Sequence, residues 1–198
     1  RETEPEEISA QHGRPIAVCR SRGLLAAAGR DEHEREIGVF STADRRILQT
    51  VPCAREPHSL SLSEDGERLA IGTEHDATIL ELATSRAVSA DVPEDGTDVD
   101  VAAVPGSDRW LVARGASPYA CVLGANGRTL CRLDADGSVS AFAPSRDGSR
   151  VVLGTYRDVF VYASDGAQLS RVKRPGGRDD AGCVVAFAGQ DCVLRLLN

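Results

Sequence analysis

Residues Ser59 to Val88 read SLSLSEDGERLAIGTEHDATILELATSRAV, and their pattern decides the fold class. Ser59 to Ser63 alternates polar and apolar residues, as a strand with one buried face requires. Glu64-Asp65-Gly66 is turn chemistry, and Arg68 to Ile71 is a second apolar run that ends at Gly72. After the loop Thr73 to Asp76, Ala77 to Leu82 reads as a third strand and Ala87 to Ala90 as a fourth. Four short strands joined by short loops form an antiparallel meander. A helical repeat would need runs of about ten or more residues at 3.6 spacing, and these segments are too short for that.

The order recurs on both sides. Upstream, Ile16 to Cys19, the Arg22-Gly23 turn, Leu24 to Ala28, Ile37 to Phe40 and Ile47 to Val51 occupy matching places. Downstream come Val99 to Ala103, Trp110 to Ala113, Tyr119 to Leu123 and Thr129 to Leu133. A fourth copy runs through Val139 to Ala143, Asp147-Gly148, Val151 to Leu153, Val159 to Tyr162 and Leu169 to Val172. Taken as equivalent, Gly29, Gly72 and Gly115 are spaced by 43 residues, and Gly154 follows 39 later. One small twisted meander cannot bury both of its faces, whereas meanders stacked side by side bury them mutually. The expected fold is therefore all-β: four full four-stranded antiparallel β-propeller blades and a partial one. A β-sandwich or another meander is the alternative. The divisions are an acidic segment or stray outer strand at 1–12, blades at 13–54, 55–93, 94–136 and 137–176, and a partial blade at 177–198.

Ser61-Leu62-Ser63-Glu64-Asp65-Gly66-Glu67-Arg68-Leu69-Ala70, followed by Gly72-Thr73 and Asp76, resembles the inner two strands of a blade in the degenerate WD-repeat and related propellers. Ala143-Pro144-Ser145-Arg146-Asp147-Gly148-Ser149-Arg150-Val151-Val152, with Gly154-Thr155 and Asp158, matches again. The Trp-Asp dipeptide that names the family is replaced by Leu80-Glu81 and Tyr162-Ala163. The resemblance implies a protein-interaction scaffold, with a structural hydrogen-bonding role for His58, which precedes the first strand of its blade.

Composition narrows the partners. A net charge of -7 and a pI near 5.1 oppose sequence-independent phosphate binding, so nucleic acid is not an expected partner. The apolar runs fall short of a membrane span, Arg1 to Ala10 is not signal-like, and a soluble, cytoplasmic protein is expected. The six cysteines form no CxxC pair, which speaks against a zinc ribbon or a thioredoxin-type motif and for free thiols. Cys121 and Cys131 lie symmetrically about Asn126, so a hairpin there would set them across from each other, although a directly cross-strand disulfide is geometrically demanding.

The ends suggest incompleteness. Glu7 to Ala10 reads as one outer strand, and Cys183 to Ala188 and Val193 to Leu197 as two more around Gly189-Gln190-Asp191. These three strands close a five-bladed ring, or the chain is part of a larger ring. The second is favoured by the absence of methionine and by the apolar C-terminus. The basic connection Arg171 to Arg178 reads as a mobile inter-blade loop, with partner docking or proteolysis as the sharper alternative.

Loops between second and third strands lie on one face of a propeller, where binding residues concentrate. Partner-binding residues are accordingly expected at His33, Arg35, His75, Asp76, Tyr119, Tyr156 and Arg157, aromatic and Arg residues being frequent interface anchors. Residues near the axis, at the starts of the inner strands, are Arg14, His58, Asp98 or Asp100, and Ser138. That set has one candidate base and no repeated ligand type, so no catalytic residue, metal or cofactor is expected. The alternatives to a scaffold are a propeller hydrolase or lactonase with an axial site, and a structural subunit that completes another chain's propeller.

Overall fold

The computed structural model describes residues 15–29, 35–94, 96–173, 183–188 and 191–196. Among them there is no helix, and the strands form four four-stranded antiparallel sheets and one two-stranded sheet. The first sheet contains β1 (Ile16–Cys19), β2 (Leu24–Ala28), β3 (Glu36–Ser41) and β4 (Ile47–Pro52), paired in sequence order. The second holds β5 (Ser59–Leu62), β6 (Arg68–Gly72), β7 (Ala77–Glu81) and β8 (Arg86–Ser89). The third holds β9 (Val99–Ala103), β10 (Trp110–Arg114), β11 (Tyr119–Leu123) and β12 (Thr129–Asp134). The fourth holds β13 (Val139–Pro144), β14 (Arg150–Thr155), β15 (Asp158–Ala163) and β16 (Gln168–Lys173). A hairpin of β17 (Cys183–Ala188) and β18 (Asp191–Leu196) follows.

The first strands of successive sheets neighbour one another, β1 with β5, β5 with β9, β9 with β13 and β13 with β17. The sheets are thus blades fanned about their first strands, each burying one face against the next. Ala26, Ile37 and Val39 meet Leu60, Leu69 and Leu80 at the first seam. Ala70 and Ile79 meet Val101, Trp110 and Val112 at the second. Leu111, Ala113 and Val122 meet Val151, Leu153 and Tyr162 at the third. Val152 and Val161 meet Val185 and Phe187 at the last. The core therefore lies in the seams, as expected for sheets that are apolar on both faces.

Hydrogen bonds correct the alignment of the repeats. Ser63 N–H donates to Arg68 O, Val104 to Arg109 and Ser145 to Arg150, and Cys19 pairs with Leu24 in the same place. Aligned on these closures, the blades repeat at 44, 41 and 41 residues. Gly29, Gly72 and Gly115 are then not equivalent: Gly72 ends β6, whereas Gly29 and Gly115 follow β2 and β10. Gly29, Thr73, Arg114 and Thr155 share one position instead.

The cysteine pair is corrected as well. A bulge at Val122/Leu123 places Cys121 opposite Arg132 and Val122 opposite Cys131. A one-residue offset sends the two side chains to opposite faces of the sheet, and both thiols are free. Burial pushes each of these thiols above its usual pKa. The predicted strand at Glu7 to Ala10 lies outside the described residues. Of the predicted basic loop, Arg171 to Lys173 belong to β16, and the remainder also lies outside them.

Candidate interaction face

Two loop sets cap the ends of the blades. At one end, the turns between first and second strands are built alike in the second and fourth blades. Ser63 Oγ donates to Asp65 Oδ1 at 2.5 Å and accepts the Arg68 N–H, while Asp65 accepts the Glu67 N–H. Ser145, Asp147 and Arg150 repeat this, with Ser149 adding a second hydroxyl donor to Asp147. These donors hold the Asp65 and Asp147 carboxyls below the usual carboxylate range. Ser63 and Ser145 are buried, so they are structural elements of the turns.

The opposite end carries the predicted binding loops, and backbone hydrogen bonds tie the β6–β7 and β10–β11 loops to the blade that follows. Thr73 O accepts from the Val99 N–H, and Ser117 O from the Val139 N–H, both at 2.8 Å. Within the β6–β7 loop, Thr73 Oγ1 donates to Asp76 Oδ1 and accepts the Asp76 N–H. Such loops are fixed platforms, since their polar backbone groups are already satisfied. His75 and Asp76 project from this one, with Glu74 Oε2 3.6 Å from His75 Nε2 and Arg55 Nε 4.0 Å from Asp76 Oδ2. Tyr156 and Arg157 are exposed on the β14–β15 loop, and Arg35 is exposed before β3. Tyr119 is half-buried: its hydroxyl accepts the Glu94 N–H, and the Arg132 guanidinium lies 3.6 Å from its ring centre. It builds the platform rather than projecting from it. His33 lies outside the described residues.

Two supports of this face, Arg114 and Arg171, escaped the sequence reading. Arg114, buried in the second seam, donates to His75 O at 2.5 Å and to Glu94 O at 3.0 Å, bracing both loops from below. It stands where Thr73 and Thr155 stand in neighbouring blades, a substitution that only the corrected alignment exposes. Asp158 is buried and pairs with Arg171 at 2.5 Å, and Arg171 also reaches Asp136 at 2.8 Å. These carboxylates hold the Arg171 guanidinium above its ordinary pKa. Arg171 comes from an outer strand 13 residues on, and nothing in the local pattern marks it as the partner of Asp158.

Of the axial candidates, Arg14 lies outside the described residues, whereas His58 and the two aspartates come together. His58 Nε2 is 3.8 Å from Asp98 Oδ1 across the second seam. Asp100 is open to solvent on one side, yet the surrounding strands desolvate its carboxyl and raise its pKa. The charge of Asp98 adds to the rise, and His58 opposes it. Among the described residues, no three His, Cys, Asp or Glu side chains are grouped to hold a metal ion.

No family model matches the sequence, and no curated protein matches it. Solved structures do match, 1088 chains in all. Among them is hydrazine synthase from Kuenenia stuttgartiensis, with a TM-score of 0.67 at 11% identity. The match covers 82% of this chain and 49% of that one, so the chain spans about half the length of the structure it resembles. At that identity the likeness concerns the fold alone, and it supports a propeller-like arrangement of blades. Among the described residues, no helix is long and apolar enough to cross a membrane.

Proposed function

We propose that this chain is a non-enzymatic interaction scaffold of the degenerate WD-repeat type, a cytoplasmic or regulatory module whose blades form part of a larger or processed propeller. Its loop face, with His75, Asp76, Tyr156 and Arg157 held on fixed loops, would dock a protein partner. The observation that carries the reading is the outer face of the first blade. Ile16 and Val18 are each 52% exposed there, beside half-buried Leu25, Ala27 and Phe40. Their counterparts in the second blade, Leu60, Leu62, Leu69, Ile71 and Leu80, are buried against the preceding blade. The same face is buried in the third and fourth blades. An apolar face that its three successors cover calls for one more blade of the same plan.

Native mass spectrometry of the protein from its own source tests this. The scaffold reading expects a complex heavier than 21.0 kDa. Val18→Asp should release the component that supplies the blade, and Tyr156→Ala with Arg157→Ala should release only a docked partner. A single 21.0 kDa species would oppose both parts. The hydrolase reading draws its support from the meeting of His58, Asp98 and Asp100. Turnover of a simple ester, lost in His58→Ala while folding persists, would replace the scaffold reading.

A further inference from the structure

The second seam contains an open cleft. At the start of the second strand, Arg68, Arg109 and Arg150 occupy one position in the second, third and fourth blades. Arg109 spans the third seam, where Nη1 donates to Ser164 O at 3.2 Å in the turn between β15 and β16. That turn also packs Gly166 against Cys131, so this seam is filled. Arg150 lies over the Phe187 ring at 5.4 Å in the last seam. Arg68 is instead drawn to Asp108, 3.1 Å away, and the gap between it and the β11–β12 turn stays open. A cavity of about 390 Å³ results, lined by Arg68, Arg86 and Asn126 around an apolar floor of Ile79 and Val88.

The β11–β12 turn, which brings Ala125 and Asn126 to the lining, is held in place from behind. Asp91 accepts the Thr129 N–H at 2.9 Å, lies 3.3 Å from Arg128 Nη1 and donates its own N–H to Gly127 O. Gly127 fits because a Cβ there would stand 2.6 Å from Ser89 O. Among the described residues, the Arg86 side chain has neither a hydrogen bond nor an ion pair, so a free guanidinium borders the floor. The volume falls within the ~300–1,000 Å³ of ligand-holding clefts.

We propose that this cleft binds a small monocarboxylic acid with an aliphatic tail. The tail would cover Ile79 and Val88, and the carboxylate would sit between the guanidiniums of Arg68 and Arg86, whose planar donors suit it. Glu81, also on the lining, disfavours a second anionic group and so selects a monoacid. The inference does not depend on the scaffold reading, because neither the loop face nor the open face of the first blade contributes a residue.

The chain supplies its own reporter. Its single tryptophan, Trp110, lies in the same apolar cluster as Ile79. Octanoate titrated into the full chain should change Trp110 fluorescence saturably, whereas acetate, lacking the tail, and octylamine, reversing the charge, should not. Arg86→Ala should weaken octanoate by about tenfold, the loss expected for one charge-assisted contact. Arg86 is exposed, and an unchanged unfolding midpoint would show that this variant folds. Equal responses to octanoate and octylamine would overturn the proposal, as would an unaltered affinity in Arg86→Ala or no response at all. Saturation by N-acetyl-leucyl-leucine without a response to octanoate would overturn it in favour of a peptide C-terminus.

Discussion

The second and fourth blades share the most sequence, yet the same residues meet different neighbours in them. Both carry Ser-x-Asp-Gly in the first turn and Gly-Thr-x-x-Asp from the end of the second strand onward. In the second blade, the Gly66 turn rests on the flexible side chains of Arg22 and Leu24. In the fourth, the Gly148 turn rests on the backbone of Pro105. At the other end, Asp76 is exposed with Arg55 4.0 Å away, whereas Asp158 is buried against Arg171 at 2.5 Å. Local motifs set the shape of each turn, and the adjoining blade or outer strand sets what depends on it.

The largest test of that difference is the turn glycine. Gly66 and Gly148 have φ of 70° and 67°, so alanine is strained at either position. A Cβ on Gly148 would also stand 2.1 Å from Pro105 O, which cannot yield as the Arg22 side chain can. Gly148→Ala should therefore cost about 3 kcal/mol or more and Gly66→Ala about 1–2 kcal/mol, read from urea unfolding. Equal losses would show that the neighbouring blade is irrelevant to the turn.

A smaller contrast is expected at the paired aspartates. Asp158→Ala removes a buried, charge-assisted contact and should cost about 2 kcal/mol. Asp76→Ala removes an exposed carboxylate whose hydrogen bond from Thr73 Oγ1 the Asp76 carbonyl can take over, and should cost about 0.5 kcal/mol or less. If the two variants unfolded at the same urea concentration, the buried pair would contribute nothing specific to the fourth blade.

This contrast also explains which features could be read from sequence. The strands were legible because alternation and turn residues are local properties, and each of the sixteen blade strands falls where its pattern places it. Register was less so. Every first turn closes over the same span, but the glycines used for alignment follow strands and loops of unequal length, so Gly115 lies one residue past Arg114 and not at the place of Gly72. The bulge at Val122/Leu123 shifted the cysteines for a similar reason, since an extra residue leaves no mark in an apolar run. On the candidate face, the exposed His75, Asp76, Tyr156 and Arg157 were legible as polar loop residues. The supports beneath them, Arg114 and Arg171, were not, because each acts on a loop distant in sequence.

The mildest test concerns acid, where the two blades should behave alike in kind and differ in degree. Hydrogen bonds from Ser63 and the Glu67 N–H lower the Asp65 pKa; those from Ser145, Ser149 and the Ser149 N–H lower that of Asp147. A carboxyl depressed in the folded state stays ionised there when its unfolded counterpart, near 3.9, has already bound a proton. Its contribution is complete above that value and is lost as pH falls through the lower folded value. Stability of the unaltered protein should therefore fall between about pH 4 and pH 2, and Asp147→Asn should flatten that fall. Asp65→Asn should flatten it less, since Asp65 lacks the second hydroxyl donor. If Asp65→Asn had the larger effect, the third donor at Asp147 would not be what sets the order, and the solvation of the two turns would have to be.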